Sequence, residues 1–128
     1  MKIKQVIVIR KDLNMRKGKA IAQGSHASMK VFFDNIEYCD NGEMKITSIT
    51  PEAEEWINGI FTKICVGVNS EEELLDVYQQ AKDAGQMCSL IQDVGLTEFD
   101  GIPTYTAVAI GPGKGEEIDK ITGQLKLL

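Results

Sequence analysis

Residues 3–10 read IKQVIVIR, a β-branched run bounded by charge. A strand this uniformly apolar cannot leave either face in water, so it belongs inside a sheet covered on both sides. The next regular pattern is helical, from about Gly18 to Phe33. There Ala20, Gly24, Ala27 and Val31 share one stripe of small side chains that lets a helix lie close on a sheet. Lys19, Gln23, His26 and Lys30 make a second, wholly polar stripe.

The remaining pattern is regular outside one segment. Residues 34–50 are the least patterned: DNG signals a turn, and EMKITSI alternates weakly enough for a short strand or hairpin arm. TPEAEEWINGI predicts a short helix with Thr50 as N-cap and Pro51 in its first turn. FTKICVGV predicts a core strand. NSEEELLDVYQQAKDAG predicts a helix capped by Asn69 or Ser70 and stopped at Gly85. QMCSLIQD and TYTAVAIGP are two further strands, separated by the loop VGLTEFDGIP. The tail GKGEEIDKITGQLKLL holds a last helix ending near Gly123. The order β-α-insert-β-α-β-β-α calls for an α/β chain, a three-layer α/β/α domain around a mixed four-stranded sheet, since β-α-β links favour parallel pairs. With 128 residues and no linker, residues 1–128 form a single domain.

Charge is unevenly spread. Residues 1–30 hold eight cations against Asp12 alone, a net of +7, whereas residues 31–128 carry −12. That asymmetry points either to an anionic partner, nucleic acid or phosphate first, or to strand and helix ends solvated by lysine. No apolar stretch approaches the roughly 20 residues of a membrane span, and the N-terminal run is too short for a signal peptide. Three widely spaced cysteines and a single histidine argue against a disulfide framework or a zinc site, so no metal or cofactor is expected and the setting is cytoplasmic.

Candidate chemistry gathers at two places. Lys19 begins a helix, with Arg16, Lys17 and Gly18 just before it; with free helix N–H groups these make either an oxyanion or phosphate site or a solvated helix start. Asp93 ends an apolar strand, at the edge where open α/β sheets place ligands, with Thr97 and Thr106 in the loop and strand beyond. His26, the one histidine, is either a lone general base or an exposed side chain. IGPGKGEE is a strand-to-helix turn that reaches toward a phosphate at most, because Lys114 is followed by Gly115 where a P-loop needs Ser or Thr. GSHAS is not the G-x-S-x-G of a nucleophile elbow. Hydrolysis by a positioned water, with Lys19 as the electrostatic element and Asp93 as orienter or base, is what remains. A non-catalytic RNA- or protein-binding module using the basic face is the alternative.

Four segments, KQVIVIRKDLNMRKGKAIAQGSHA, SLIQDVGLTE, TYTAVAIGPG and IDKITGQLKLL, resemble in order and spacing the archaeal and eukaryotic type of peptidyl-tRNA hydrolase. The resemblance covers residues 3–33 and 61–128. It implies a compact α/β/α enzyme, often dimeric, that cleaves peptidyl-tRNA without a metal and recycles it. It implies Lys19, Asp93 and Thr106 as catalytic, with Lys17, Gln23 and His26 at matching positions nearby. Two departures stand out: Leu96 replaces a usual arginine, and residues 34–60 form a longer middle.

Overall fold

The computed structural model of the chain describes residues 2–128. Strand β1 (Ile3–Arg10) is buried from Lys4 to Ile9, as its composition requires. It lies parallel to β4 (Lys63–Val68) and antiparallel to β6 (Thr104–Lys114), which in turn runs antiparallel to β5 (Cys88–Asp93). The sheet order is β4-β1-β6-β5, mixed and four-stranded as expected.

Alternation along β1 divides the core in two. Val6 and Val8 join Val66, Val108 and Ile110 beneath α3 (Glu71–Asp83) and α4 (Gly115–Thr122). Ile7 and Ile9 face the other way with Ala107 and Ala109, against Ala27 and Val31 of α1 (Lys17–Phe33). That is the three-layer α/β/α arrangement. The least patterned segment contains a small antiparallel hairpin, β2 (Ile36–Tyr38) and β3 (Met44–Ile46), turning through Asp40, Asn41 and Gly42. Helix α2 (Pro51–Asn58) follows and stacks Trp56 on Phe32 of α1, ring centroids 6.0 Å apart.

The helix signals act as read. Thr50 Oγ1 accepts the Ala53 N–H at 3.1 Å, and Ser70, not Asn69, caps α3 by accepting the Glu73 N–H at 3.0 Å. Gly85 takes φ +71°, so its N–H bonds Lys82 O while the Gln86 N–H reaches back to Ala81 O, the Schellman closure that stops the helix. Of the small stripe on α1, Gly24, Ala27 and Val31 are buried and Ala20 is half-buried. Along the second, polar stripe His26 is exposed and Lys19 and Lys30 are half-buried, but Gln23 is not in water. Gln23 is 1% exposed, because the edge of α1 that carries it is turned against the sheet.

One irregularity in β6 matters for everything below. Ile91 pairs with Ala107 but Gln92 pairs with Tyr105, so Thr106 is an extra residue opposite one step of β5. A bulge of this kind re-aims side chains. Tyr105 packs with the α3/α4 core while Ala107 lies in the α1 core, two residues apart on opposite faces, and Thr106 is turned toward α1.

The close approach of α1 is testable at Gly24. A Cβ there meets Ile7 Cγ2 at 3.4 Å and Ile9 Cδ1 at 3.8 Å, ordinary contacts, whereas the further methyls of a branched side chain press on the same two isoleucines. Gly24→Ala should be close to neutral, and Gly24→Val should destabilise by about 1–3 kcal/mol in urea unfolding.

Candidate active site

β1, β4 and β5 run in the same direction, so Arg10, Val68 and Asp93 end on one edge of the sheet, where β6 begins. The chain leaves β1, loops over residues 11–16 and starts α1 above that edge. The helix is short of donors' partners there: no side chain caps its first turn. Instead Glu98, from the loop after β5, accepts the Arg16 N–H at 3.4 Å. The helix start, read as either a phosphate site or a solvated end, thus already faces a carboxylate of this chain.

Lys19 projects from the first turn toward β5. Its Nζ donates to Asp93 Oδ1 at 3.0 Å and to Thr97 Oγ1 at 2.8 Å, and lies 5.5 Å from the Phe99 ring centroid, within cation–π range. Both members of the pair are largely withdrawn from water, their side chains 14% and 13% exposed. One turn further along α1, Gln23 Nε2 donates to the same Oδ1 at 3.2 Å. A carboxylate accepts only, so the amide nitrogen faces Asp93 and Gln23 Oε1 is left to accept the Thr106 hydroxyl, at 2.5 Å. The Gly95 N–H closes the set on Asp93 Oδ2 at 2.9 Å. Gly95 needs φ +85° to do this, and a Cβ there would strike the Ile102 backbone, 2.5 Å from its oxygen.

A continuous hydrogen-bonded chain therefore runs Thr106–Gln23–Asp93–Lys19–Thr97, drawn from β6, α1, β5 and the 94–103 loop. Burial pushes the Asp93 carboxyl up, but the Lys19 hydrogen bond, the Gly95 N–H, the Lys19 charge and the Gln23 amide outweigh it and hold the group below the usual carboxylate range. Counting lone pairs and protons, Oδ1 has two partners and Oδ2 one, while Lys19 has used two of three donors. The site keeps one acceptor on Asp93, one donor on Lys19 and the Thr97 hydroxyl proton.

The other expected residues fall in four groups. Thr97 joins the cluster directly. Gln23 and Thr106 join it from beneath; Thr106 is 0% exposed, so neither lies open to a substrate as the sequence had suggested. Arg16, Lys17 and Gly18 are exposed on the rim. His26 is exposed further along α1, over a shallow pocket with Phe33 and Ile91, and makes no side-chain hydrogen bond among the described residues. The turn IGPGKGEE lies at the opposite edge, Lys114 pairing with Ile3, about 25 Å down the strand, so it has no part in this site.

The +7 of the N-terminal segment does not form one patch either. Lys2 and Lys4 sit at the far edge, and Lys4 pairs with Asp119. Arg10, Lys19 and Lys30 pair with Asp12, Asp93 and Asp34. Lys11 and Lys17 have no ion partner among the described residues, and Arg16, 91% exposed, touches Glu98 only at 3.8 Å. An open, mostly apolar groove of about 870 Å³ lies on the other flank of α1, bordered by Lys17, Ile21, Met29, Phe61 and Leu128. Among the described residues no cluster of His, Cys, Asp and Glu is arranged to hold a metal, and no helix is long and apolar enough to cross a membrane.

Comparison with known proteins gives a consistent result. Residues 3–128 match the family described as Peptidyl-tRNA hydrolase PTH2. A protein named peptidyl-tRNA hydrolase from Methanocaldococcus jannaschii is 48% identical over 98% of this chain and all of its own length. Proteins of the same name from Methanothermobacter thermautotrophicus and Sulfolobus acidocaldarius are 41% and 38% identical, again over 98% of this chain and their full length.

Because Lys19 lowers the Asp93 pKa, Lys19→Met should raise it, as read by carboxyl NMR titration. The depressed value also has a stability sign. Asp93 contributes stability in full above its unfolded pKa of about 3.9 and loses it as pH falls through the lower folded value. The stability gap between the wild type and Asp93→Asn should therefore be flat at neutral pH and close only below about pH 4. A gap already closing at pH 6 would contradict the hydrogen bonding described.

Proposed function

The chain belongs to the peptidyl-tRNA hydrolase PTH2 family, and we propose that it cleaves the ester between a peptide, or an N-blocked amino acid, and the terminal ribose of tRNA by metal-independent attack of water at Lys19 and Asp93. The enzyme is a hydrolase of peptidyl-tRNA, which its action returns to use as free tRNA. The observation that carries the mechanism is the spare hydrogen-bonding capacity of the Lys19–Asp93–Thr97 cluster, one acceptor beside unspent donors.

The free lone pair of Asp93 Oδ2 orients a water toward the ester carbonyl carbon. The remaining Lys19 N–H and the Thr97 hydroxyl point positive charge at the carbonyl oxygen, where negative charge develops. Water oxygen bonds to carbon, the bond from carbon to the ribose 3′ oxygen breaks, one proton of the water ends on that oxygen and the other leaves to solvent as the new acid ionises. The products are a peptide carboxylate and a 3′-hydroxyl tRNA. The low Asp93 pKa makes it a weak base, so its service is orientation and charge more than proton abstraction. An aminoacyl ester is already activated, and one oxyanion donor is worth about 10²–10³-fold. Thr106 acts through Gln23: by accepting nothing and donating to Oε1 it keeps the amide nitrogen aimed at Asp93.

A pure binding module is disfavoured by the same pair, since it would gain from the cation and lose from a carboxylate that neutralises it. Lys11, Arg16 and Lys17 are left to meet tRNA phosphates, with Gly18 allowing close approach at the helix start. His26 is placed on the same helix face further from the ester. A homodimer, and a cytoplasmic setting where this substrate arises, complete the proposal. The exposed side chains Ile21 and Met29 beside the groove, on the flank of α1 away from Lys19, support the dimer.

In release of N-acetyl-amino acid from its tRNA ester with a chelator present, Lys19→Ala and Asp93→Ala should each lower kcat by about 10²-fold or more, and Thr106→Val by about tenfold with KM little changed. Full activity in Asp93→Ala would remove the carboxylate from the mechanism. With Lys11 and Lys17 unpaired among the described residues and Arg16 held only loosely by Glu98, the rim near the site offers at most three cations, and binding should fall with salt at a log–log slope of about −2 to −3. Light scattering should give twice the mass of one chain, and Ile21→Glu should return it to one without abolishing turnover.

A further inference from the structure

The loop from Val94 to Pro103 carries a group of apolar side chains that the fold does not use. Val94 is 62% exposed, Leu96 83% and Ile102 63%. They are not a frayed segment. Gly101 N–H bonds Gly95 O at 2.8 Å, Ile102 N–H bonds Phe99 O at 2.8 Å, and Gly95 packs against the Ile102 backbone, so the loop is closed on itself. Val94 follows Asp93 and Leu96 precedes Thr97, so apolar side chains in water flank both polar partners of Lys19.

We propose that this loop receives the acyl limb of the substrate, and that Val94, Leu96 and Ile102 give the enzyme a preference for peptidyl-tRNA whose last residue has an uncharged, apolar side chain. The proposal rests on the reaction placed at Lys19 and Asp93 above.

Charge decides which limb of the substrate lies here. Two chains leave the scissile ester, one a polyanion and the other a peptide. The loop supplies no cation; Glu98 is turned back onto Arg16, and Asp100 is left without an ion partner among the described residues, so beyond that pair the loop offers phosphate an acid and no attraction. Lys11, Arg16 and Lys17 stand on the β1–α1 side of Lys19 and attract it. The site is thus polarised, nucleic acid toward residues 11–17 and acyl group toward residues 94–103. An apolar side chain resting on Leu96 also removes exposed hydrocarbon from water on both partners. An acidic last residue would meet Asp100 with no loop cation to offset it and be disfavoured.

The test uses one tRNA body esterified with either N-acetyl-leucine or N-acetyl-glycine, so that the nucleic acid is constant. Leu96→Ser, at an exposed position, should raise KM for the leucyl ester by about tenfold and alter the glycyl reaction by no more than about twofold, with kcat held. A second variant, Leu96→Lys, should leave the salt slope of binding unchanged, because no phosphate passes this loop. Equal losses with both esters, or a salt slope steeper by about one unit in Leu96→Lys, would place the loop against the tRNA and overturn the proposal. So would an unchanged leucyl preference in Leu96→Ser. Failure of the wild type to hydrolyse either ester would instead bring down the reaction assigned to the site, and this inference with it.

Discussion

Helix α1 lies close on the sheet because Gly24 and Ala27 meet a floor that includes Ile7, Ala107 and Ala109, and the site inherits its geometry from that contact. Larger residues at this contact would push the helix away from the sheet. Lys19 and Gln23 leave the same helix one turn apart, and both reach Asp93 at hydrogen-bond distance only because the helix is held so low. Packing of small apolar groups thus sets a polar geometry that no single hydrogen bond in the cluster could set for itself.

A lysine–aspartate pair with both side chains mostly out of water is a poor source of stability, since desolvation offsets most of the attraction. It persists where the remaining protons and lone pairs are matched. Thr97, Gly95 and Gln23 supply those matches, Thr106 anchors Gln23, and among the described residues no buried side-chain polar atom is left without a partner. The cost of assembling charge here is met by the bulge in β6, which brings Thr106 round to the α1 face, and by the positive φ of Gly95, which frees its N–H for Asp93. Irregular backbone sits where the chemistry needs it, and a second register shift between β1 and β6, at Lys4 and Val6, lies at the far edge of the sheet.

The charge of the chain works by position more than by sum. Most of the N-terminal cations are spent on ion pairs or lie at the far edge, leaving a short basic rim beside Lys19. Across the site the 94–103 loop is acidic and apolar. A substrate that is a polyanion on one side of its ester and a peptide on the other finds matching surroundings on each.

Much of this was legible in the residue order. IKQVIVIR required a strand with both faces covered, the caps at Thr50 and at Asn69 or Ser70 and the stop at Gly85 placed two helices, and the alternation of elements called for the mixed sheet. These are local properties, decided by backbone sterics, capping and the period of apolar side chains. Lys19 and Asp93 were visible as a helix start and a strand end, and Leu96 as a departure from the arginine usual in the family the sequence resembles. The tertiary structure alone decided that Gln23 is buried and Thr106 reaches it, since both depend on a one-residue bulge in strand pairing that leaves no mark in composition. It also decided that eight early cations become a small rim and that Glu98 occupies the start of α1, because long-range pairing with Asp93, Glu98 and Asp119 joins residues 74 or more positions apart. Local chemistry writes the elements; which partner each charge finds is settled only when the layers close.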